Sequence, residues 1–265
     1  MAHDIRDVIF AAIENDEYTA CLTSEAEGVV SGIERLKAAL AERNVAASFY
    51  KKDGETVAAG ERILLLNGTP KTIAVAEEFV VGMLSKPSGI ATAARRAVSK
   101  AGGMRIVSGA WKKMPPEIKH IVREAVSHGG AYFRIIDEPF VYLDKNFVRM
   151  LGGIKETLLA VKAMTEIKAI QVKGDIGDIA GEACVAAEFG AGIIMVDTGS
   201  IDDFRAVNTK LKAAGYRGKV KLAYAKGITL QSIAELQTEN IDILDIGGQI
   251  IDASLLDMKF DVVRS

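Results

Sequence analysis

The sequence has little of several residue types, and each shortage excludes a class of protein. Its 265 residues include two cysteines, five prolines and one tryptophan. Cys21 and Cys184 are far apart and form no CxxC pattern, which argues against a disulfide scaffold or a zinc knuckle and fits a reducing compartment. The three histidines show no metal-binding spacing. No apolar run approaches the roughly 18–20 residues that a membrane-spanning helix needs.

The charge of the chain is nearly balanced, with 33 basic and 35 acidic residues and a formal net charge of −2. This balance excludes the basic surface typical of nucleic-acid-binding proteins and a polybasic membrane patch. The N-terminal segment contains acidic residues and no cleavage-type signal, which favours a helix over an export peptide. Hydrophobic residues make up 49% of the chain, enough for a substantial core. We therefore expect a cytoplasmic protein with no nucleic-acid or membrane partner.

The first part of the chain predicts a small domain of helices and short strands. Residues 52–66 contain two glycine turns followed by an apolar run, a pattern typical of small β-sandwich modules. Two helices are expected over residues 69–102, because Pro87 and Gly89 between them indicate a helix end and a new start.

From residue 104 onward, short β-branched runs alternate with amphipathic helices. The six runs are RIVSG, AYFRII, AIQVKG, GIIMVD, VKLAYA and IDILDI. Six strand–helix units in succession predict a parallel sheet with helices outside it. The runs are apolar throughout, as expected for strands buried on both faces. We expect the sheet to close into a barrel; an open, doubly wound sheet is the alternative.

Glycine loops follow the last two predicted strands. Lys226 and Gly227 come directly after VKLAYA, and Gly247 and Gly248 come directly after IDILDI. Such loops in barrels commonly bind phosphate, because glycine lets backbone N–H groups approach an anion and a helix N-terminus adds a favourable dipole. The alternative is that these glycines only make tight turns. Because the pattern occurs in two consecutive units, we favour phosphate binding by both loops.

Charged side chains stand near the ends of other predicted strands. Asp197 ends GIIMVD, where a carboxylate would meet a metal ion, a ribose hydroxyl or a diphosphate-bound Mg²⁺. Its alternative role is to cap the helix that begins near Ile201. Lys112 follows RIVSG, Arg134 ends AYFR and Lys173 ends AIQVK. Cations at these positions would face an anionic ligand.

Several runs of the sequence together resemble one enzyme family. They are EGVVSGI, DGETVAAGERILLLNGTPKTI, SGIATAARRAV, RIVSGAWKKMP, AGIIMVDTGS, LAYAKGIT and DIGGQIIDASLLDM. Over nearly the full length, their order resembles that of quinolinate phosphoribosyltransferase (nicotinate-nucleotide pyrophosphorylase, carboxylating). The resemblance implies an α/β fold: an N-terminal open-faced α/β sandwich followed by an incomplete, six-stranded α/β barrel. We predict the sandwich and its linking helices over 1–102 and the barrel over 103–247, with the chain re-entering the first domain at 248–265.

The family's reaction joins quinolinate to phosphoribosyl diphosphate with Mg²⁺ and releases carbon dioxide. The resemblance and the strand-end positions together suggest catalytic and phosphate-binding residues. The candidate catalytic residues are Lys112, Arg134, Asp197 and Lys173, with Asp197 also the candidate Mg²⁺ ligand. The candidate phosphate-binding residues are Lys226, Gly227, Gly247 and Gly248.

The sequence departs from the family pattern where cations would grip the carboxylates of quinolinate. Two arginines, a histidine and a lysine of the family correspond to Glu78, Trp111, Phe133 and Asp144. A family glutamate falls near Gln171 or Lys173, and a family serine becomes Ala225. Carboxylates in a partly buried site would repel a dicarboxylate. We therefore expect the first four residues to bind an aromatic or amine-bearing acceptor other than quinolinate, with the aromatic rings stacking on it.

Three other functions stay open. One is the family's own reaction on quinolinate, which release of carbon dioxide from quinolinate would establish. The barrel would serve a lyase or condensation enzyme acting on a phosphorylated substrate if Lys173 or Lys226 formed a Schiff base. A non-catalytic paralogue that binds a nucleotide is the other alternative, although the glycine loops argue against it. The resemblance also implies a homodimer or hexamer, in which the N-terminal domain of one subunit completes the barrel site of another. Glu78 would then come from a neighbouring chain.

Overall fold

The computed structural model describes residues 4–263. This part of the chain contains strands and α-helices that we number in chain order. The strands are β1 (Tyr18–Ser24), β2 (Gly28–Val29), β3 (Ala46–Phe49), β4 (Thr56–Val57), β5 (Arg62–Gly68), β6 (Arg105–Val107), β7 (Phe140–Leu143), β8 (Ile167–Val172), β9 (Ile193–Val196), β10 (Lys221–Ala225), β11 (Ile243–Asp245) and β12 (Met258–Val263). The helices are α1 (Ile5–Ile9), α2 (Ile33–Ala41), α3 (Pro70–Ser99), α4 (Lys119–His128), α5 (Lys145–Leu151), α6 (Ile154–Ala160), α7 (Ile179–Glu188), α8 (Ile201–Ala213), α9 (Ile233–Leu236) and α10 (Gly248–Ile251).

The chain divides into two compact units. The first contains the N-terminal residues through Arg96, Lys113–Gly130 and the C-terminal residues from Ile250, and the second contains Ala97–Lys112 and Ala131–Gln249. The bounds predicted from the sequence differ at Lys113–Gly130, which the prediction assigns to the barrel. They also differ at 97–102 and 248–249, which the prediction assigns to the first domain. None of the helices in residues 4–263 is both long and apolar enough to cross a membrane.

The first unit is built on a four-stranded antiparallel sheet in the order β12-β1-β5-β3. The C-terminal strand β12 pairs with β1 along its whole length, from Met258 opposite Ser24 to Val263 opposite Thr19. Aliphatic residues of β1, β5, α2 and α3 are fully buried together in the core of this unit. This core is the hydrophobic face that an open-faced sandwich must cover with helices.

Helix α3 differs from the prediction of two helices, because it runs through Pro87 without a break. Proline removes one backbone hydrogen bond and usually kinks or ends a helix. Tertiary hydrogen bonds of residues that follow the proline stabilise this part of the helix. The Ser88 hydroxyl accepts a hydrogen bond from the Ser31 amide at 2.9 Å, and the Thr92 hydroxyl accepts one from the Val29 amide at 2.9 Å. The SGIAT motif therefore docks α3 against β2 and the residues that follow it.

Gly89 within this motif serves a close approach of two backbones. A Cβ atom at this position would lie 1.9 Å from the Ser254 carbonyl oxygen, a distance that no side chain tolerates. The glycine that the sequence suggested as a helix break is instead the point where the 252–256 segment crosses the helix.

Substitution of Gly89 by alanine should destabilise the first unit by about 2–3 kcal/mol. The reason is that either α3 or the 252–256 segment must move to separate the new Cβ from the Ser254 carbonyl oxygen. Gly82 provides the matched control, since it lies in the same helix and an added Cβ would meet nothing within 4 Å. Gly82→Ala should stabilise the unit by about 0.5–1 kcal/mol through helix propensity. Urea unfolding followed by circular dichroism measures both changes. Equal effects of the two substitutions would contradict the close approach.

The second unit is a six-stranded parallel sheet in the order β6-β11-β10-β9-β8-β7. The first strand therefore pairs with the last, as in a barrel, while β6 and β7 are not paired among the described residues. Helices α7 and α8 accompany the sheet between successive strands. Buried side chains from five of the strands fill the interior: Val107, Ala169, Ile193, Met195, Ala223, Ala225 and Ile243. The predicted incomplete α/β barrel is confirmed.

One of the six predicted strands is wrong. The run AYFRII forms only an isolated bridge between Tyr132 and Val107, and Arg134 lies in the bend that follows. The missing strand is β7, which the sequence analysis overlooked. Its four residues lie between Pro139 and Asp144, so the run is too short for its periodicity to distinguish it from a loop.

Candidate active site at the barrel mouth

The carboxyl end of β9 carries Asp197, and its carboxylate lies among side chains of the neighbouring strand. Lys173 donates a hydrogen bond from Nζ to the Asp197 carbonyl oxygen at 2.6 Å and lies 3.2 Å from Oδ2 of the same residue. Gln171 donates from Nε2 to the same Oδ2. Helix α8 is capped by Ser200, whose hydroxyl accepts from the Asp203 amide at 3.2 Å. Asp197 is therefore not the helix cap, and its carboxylate faces the strand ends.

Gln171 links three neighbouring strand ends. Its Oε1 accepts a hydrogen bond from the Lys145 amide at 2.8 Å, while its Nε2 donates to Asp197. The residue is buried, so both halves of the amide need partners. Sequence comparison with the family pattern had placed a family glutamate near this position. In this structure a neutral amide holds the carboxylate of Asp197.

Asp144 follows β7 and caps helix α5. Its Oδ1 accepts hydrogen bonds from the Asn146 amide at 2.8 Å and the Phe147 amide at 3.3 Å. One carboxylate oxygen thus stabilises the helix. Its assignment to the acceptor site stays a prediction.

Burial raises the pKa of Tyr142, which lies on β7. The negative charges of Asp245, Asp197 and Asp144 raise it further. The phenol therefore stays neutral, and its raised pKa reflects both its burial and the carboxylates at this end of the barrel. The Asp245 carboxylate also accepts a hydrogen bond from the Gly109 amide at 3.0 Å. The sequence analysis missed Tyr142 and Asp245, because each lies inside a predicted or overlooked strand rather than after it.

Trp111 and Phe133 are neighbours in the second unit. The Trp111 indole nitrogen donates to the Phe133 carbonyl oxygen at 2.8 Å. The guanidinium of Arg134 lies 5.3 Å from the ring centroid of Phe140, a cation–π contact. Lys112 is exposed and lies in a short 3-10 helix, Gly109–Lys113, rather than at a strand end. The structure thus joins the two aromatic residues, whereas their stacking on an acceptor stays a prediction.

The loop after β10 has an unusual backbone conformation. Lys226 adopts a φ of 80° and Gly227 a φ of 73°. A left-handed lysine is uncommon, since its Cβ strains the backbone. An added Cβ at Gly199, in the loop after β9, would lie 3.2 Å from the Lys226 carbonyl oxygen, so these two loops come close. Backbone strain of this kind concentrates at ligand-binding sites.

The loop after β11 contains Gly247 and Gly248, and helix α10 begins at Gly248. Gly248 is exposed and Gly247 partly exposed. Strands β10 and β11 are adjacent and parallel, so the two glycine loops lie side by side at the same edge of the sheet. Phosphate binding by these loops stays a prediction that this placement favours.

Glu182 is a further residue that the sequence analysis missed. It is buried in α7, and its carboxylate accepts hydrogen bonds from three backbone amides of the preceding loop. The donors are the amides of Lys173 at 3.1 Å, Gly174 at 2.8 Å and Ile176 at 3.0 Å. These bonds fix the loop after β8 and thereby the position of Lys173. A helix-interior glutamate gives no sequence signal for such a role.

Glu78 lies in the first unit, on α3, where it is exposed and forms an ion pair with Arg6. Its charge is thus partly offset within its own chain. Its place in an acceptor site stays a prediction.

Comparison with known proteins decides which family this is. The family model described as "Quinolinate phosphoribosyl transferase, C-terminal domain" matches residues 90–261, and the corresponding N-terminal domain model matches residues 7–88. The chain belongs to the quinolinate phosphoribosyl transferase family. It is therefore an enzyme of the phosphoribosyltransferase type, which confirms the resemblance drawn from its motifs.

The family relatives share about a quarter of their residues with this chain. The probable nicotinate-nucleotide pyrophosphorylase [carboxylating] of Archaeoglobus fulgidus is 27% identical over 256 residues, covering 96% of this chain and 97% of that protein. The human nicotinate-nucleotide pyrophosphorylase [carboxylating] is 25% identical, covering 91% and 80%. The changed acceptor expected from the departures receives no support from these relatives.

Solved structures show the same fold. The nicotinate-nucleotide pyrophosphorylase of Francisella tularensis superposes with a TM-score of 0.82 at 21% identity, covering 97% of this chain and 90% of that one. Human nicotinic acid phosphoribosyltransferase gives a TM-score of 0.70 at 14% identity, covering 100% and 74%.

Replacement of Glu182 by alanine should speed hydrogen exchange at the amides of Lys173, Gly174 and Ile176 by at least about 10-fold. The reason is that a hydrogen bond to a charged acceptor contributes about 1.5–3 kcal/mol. The matched control is Glu188→Ala, an exposed glutamate at the end of the same helix, which should leave these amides unchanged. Unaltered exchange in the Glu182 variant would show that the loop is fixed by other contacts.

Alkaline titration should show Tyr142 ionising well above the ordinary tyrosine pKa of about 10. Because its pKa is raised in the folded protein, the unfolded chain loses this proton first. Folding stability should therefore fall as the pH rises above about 10. Tyr142→Phe should remove that part of the alkaline loss and leave the ultraviolet tyrosine titration below about pH 11 unchanged. A Tyr142→Phe variant with fewer tyrosines titrating in that lower range would contradict the burial of this phenol.

Proposed function

We propose that the chain transfers the phosphoribosyl group of phosphoribosyl diphosphate to quinolinate, as its relatives are named to do. A bond forms between the ring nitrogen and the ribose carbon while the bond to diphosphate breaks. Loss of the adjacent carboxylate as carbon dioxide, with a proton taken up by the ring carbon, then gives nicotinate mononucleotide. The reaction therefore releases both diphosphate and carbon dioxide.

The observation that carries this proposal is the pair of adjacent glycine loops after β10 and β11. The left-handed backbone at Lys226 and Gly227 turns the chain at the sheet edge, where backbone N–H groups would meet a phosphate. The start of helix α10 at Gly248 lies in the neighbouring loop. We assign the 5′-phosphate of the sugar to Lys226, Gly227, Gly247 and Gly248.

The ion pair of Lys173 and Asp197 is assigned to the ribose and diphosphate side of the site. Lys173 would turn its ammonium toward the departing diphosphate, since stabilising this anion is mainly electrostatic. Lys112 and Arg134 would add positive charge from the loops that precede β7. Asp197 would orient the ribose hydroxyls.

Mg²⁺ is proposed to arrive bound to the diphosphate as part of the substrate. Among residues 4–263 no three His, Cys, Asp or Glu side chains form a cluster that could hold a metal by themselves. Mg²⁺ commonly needs only one or two carboxylates when phosphates supply other oxygens, and Asp197 would provide one. A resident metal centre of protein ligands alone does not fit these residues.

A second candidate differs only in the acceptor. The carboxylates of Asp144, Asp197 and Asp245 all act on Tyr142, and such a wall favours an amine-bearing aromatic acceptor over a dicarboxylate. Glu78 would add to that wall only if supplied by another subunit. The homodimer or hexamer and the cytoplasmic location stay predictions.

The lyase alternative is disfavoured by the contacts of Lys173. Its nitrogen donates to the Asp197 carbonyl and pairs with the Asp197 carboxylate. A Schiff base requires an amine that is free to attack a carbonyl, and both contacts engage the Lys173 nitrogen.

Purified protein with phosphoribosyl diphosphate, Mg²⁺ and quinolinate should release diphosphate and carbon dioxide in equal amounts. Asp197→Asn should lower kcat/KM by about 100-fold or more, as expected for loss of a charged site group. Asp202→Asn is the control, because this aspartate pairs with Arg205 on the exposed side of α8 and should leave activity unchanged.

Different acceptors separate the two candidates. Diphosphate release with an aminopyridine but not with quinolinate would favour the changed acceptor. No diphosphate release and no binding of phosphoribosyl diphosphate would overturn both.

A further inference from the structure

The first unit contains a cleft of about 340 Å³. It opens beside helix α3, and α4 and the start of the C-terminal segment contribute to its walls. The walls are largely apolar, formed by residues that include Phe79, Met83, Ile90, Val122 and Ile251. A cleft of this size falls at the lower end of the roughly 300–1,000 Å³ range of small-molecule sites.

Two basic residues line this cleft. They are Arg35 on α2 and Lys86 on α3, and none of the described lining residues is acidic. Arg35 Nε lies 3.3 Å from the Glu124 carboxylate, but Nε and Nη2 are buried without a hydrogen-bond acceptor among the described residues. The loss of hydration of this guanidinium is therefore only partly offset, because buried donors without acceptors cost free energy.

Lys86 supplies charge at the exposed edge of the cleft. Its ammonium donates to the Ala253 carbonyl at 2.7 Å, and no carboxylate of residues 4–263 forms an ion pair with it. Counting Arg35, Glu124 and Lys86 together, the cleft carries one excess positive charge. An apolar pocket with a single excess cation is complementary to a monoanion with a hydrophobic body.

We propose that this cleft binds a small organic monoanion, a carboxylate carried on an aliphatic or aromatic body. The body would fill the apolar walls, and the carboxylate would lie toward Arg35 and Lys86. None of the residues that line the cleft is among those assigned to phosphoribosyl transfer, so the proposal does not depend on the reaction.

Gly82 offers a way to block the cleft without disturbing the fold. It lines the cleft within α3, and an added Cβ would meet nothing within 4 Å. A leucine here would extend its side chain into the open space, whereas an alanine would occupy little of it. Both substitutions favour the helix over glycine, so loss of binding would not arise from unfolding.

Isothermal titration calorimetry with octanoate, below its micelle concentration, tests the proposal on the full chain. We expect saturable binding with one site per chain, at least 10-fold tighter than the binding of octanol. Gly82→Leu should abolish it, Gly82→Ala should retain it, and Lys86→Gln should weaken it by about 3-fold to 10-fold, in line with a partly exposed charge pair of about 1 kcal/mol.

Three results would overturn the proposal. They are no saturable binding of octanoate, equal binding of octanol, and octanoate binding that survives Gly82→Leu. The other possible occupant of the cleft is a second copy of this chain, and sedimentation of the same variants tests it by measuring the oligomeric state. If Gly82→Leu converts an oligomer to monomers while the unmodified chain binds no octanoate, the cleft is a contact between copies of this chain and not a ligand site.

Discussion

The parallel direction of the six barrel strands is the constraint on which the site depends. It brings the carboxyl end of every strand to one edge of the sheet, so that residues distant in sequence become neighbours there. The register of β8 with β9 pairs Val172 with Val196, and the next residues are Lys173 and Asp197. Their ion pair is thus a direct consequence of strand register.

The electrostatic character of the barrel mouth follows from which groups already have partners. Lys173 pairs with Asp197, Asp144 caps a helix N-terminus, and Asp245 accepts a hydrogen bond from a backbone amide. The one cation among these four residues is therefore already paired with a carboxylate.

Glycine and proline show why some local signals were misleading. Pro87 and Gly89 predicted a helix boundary, yet α3 passes through both, because the Ser88 and Thr92 hydroxyls and a crossing backbone segment stabilise that part of the helix. In the barrel, AYFRII resembles a strand, although the strand that pairs with β8 is β7. Both runs are short and apolar, and only pairing with neighbouring strands distinguishes them.

The sequence by itself determined the class of fold, five of the six barrel strands, the family and the glycine loops, because repeated apolar runs and motif order are written in the chain. Only the tertiary structure decided that Gln171 bridges Asp197 and Lys145, that Glu182 fixes the loop before it, and that an apolar cleft lies beside α3. These features arise from contacts between side chains and backbone groups of different elements. Periodicity describes which face of an element is buried, and it does not specify which polar atoms meet there.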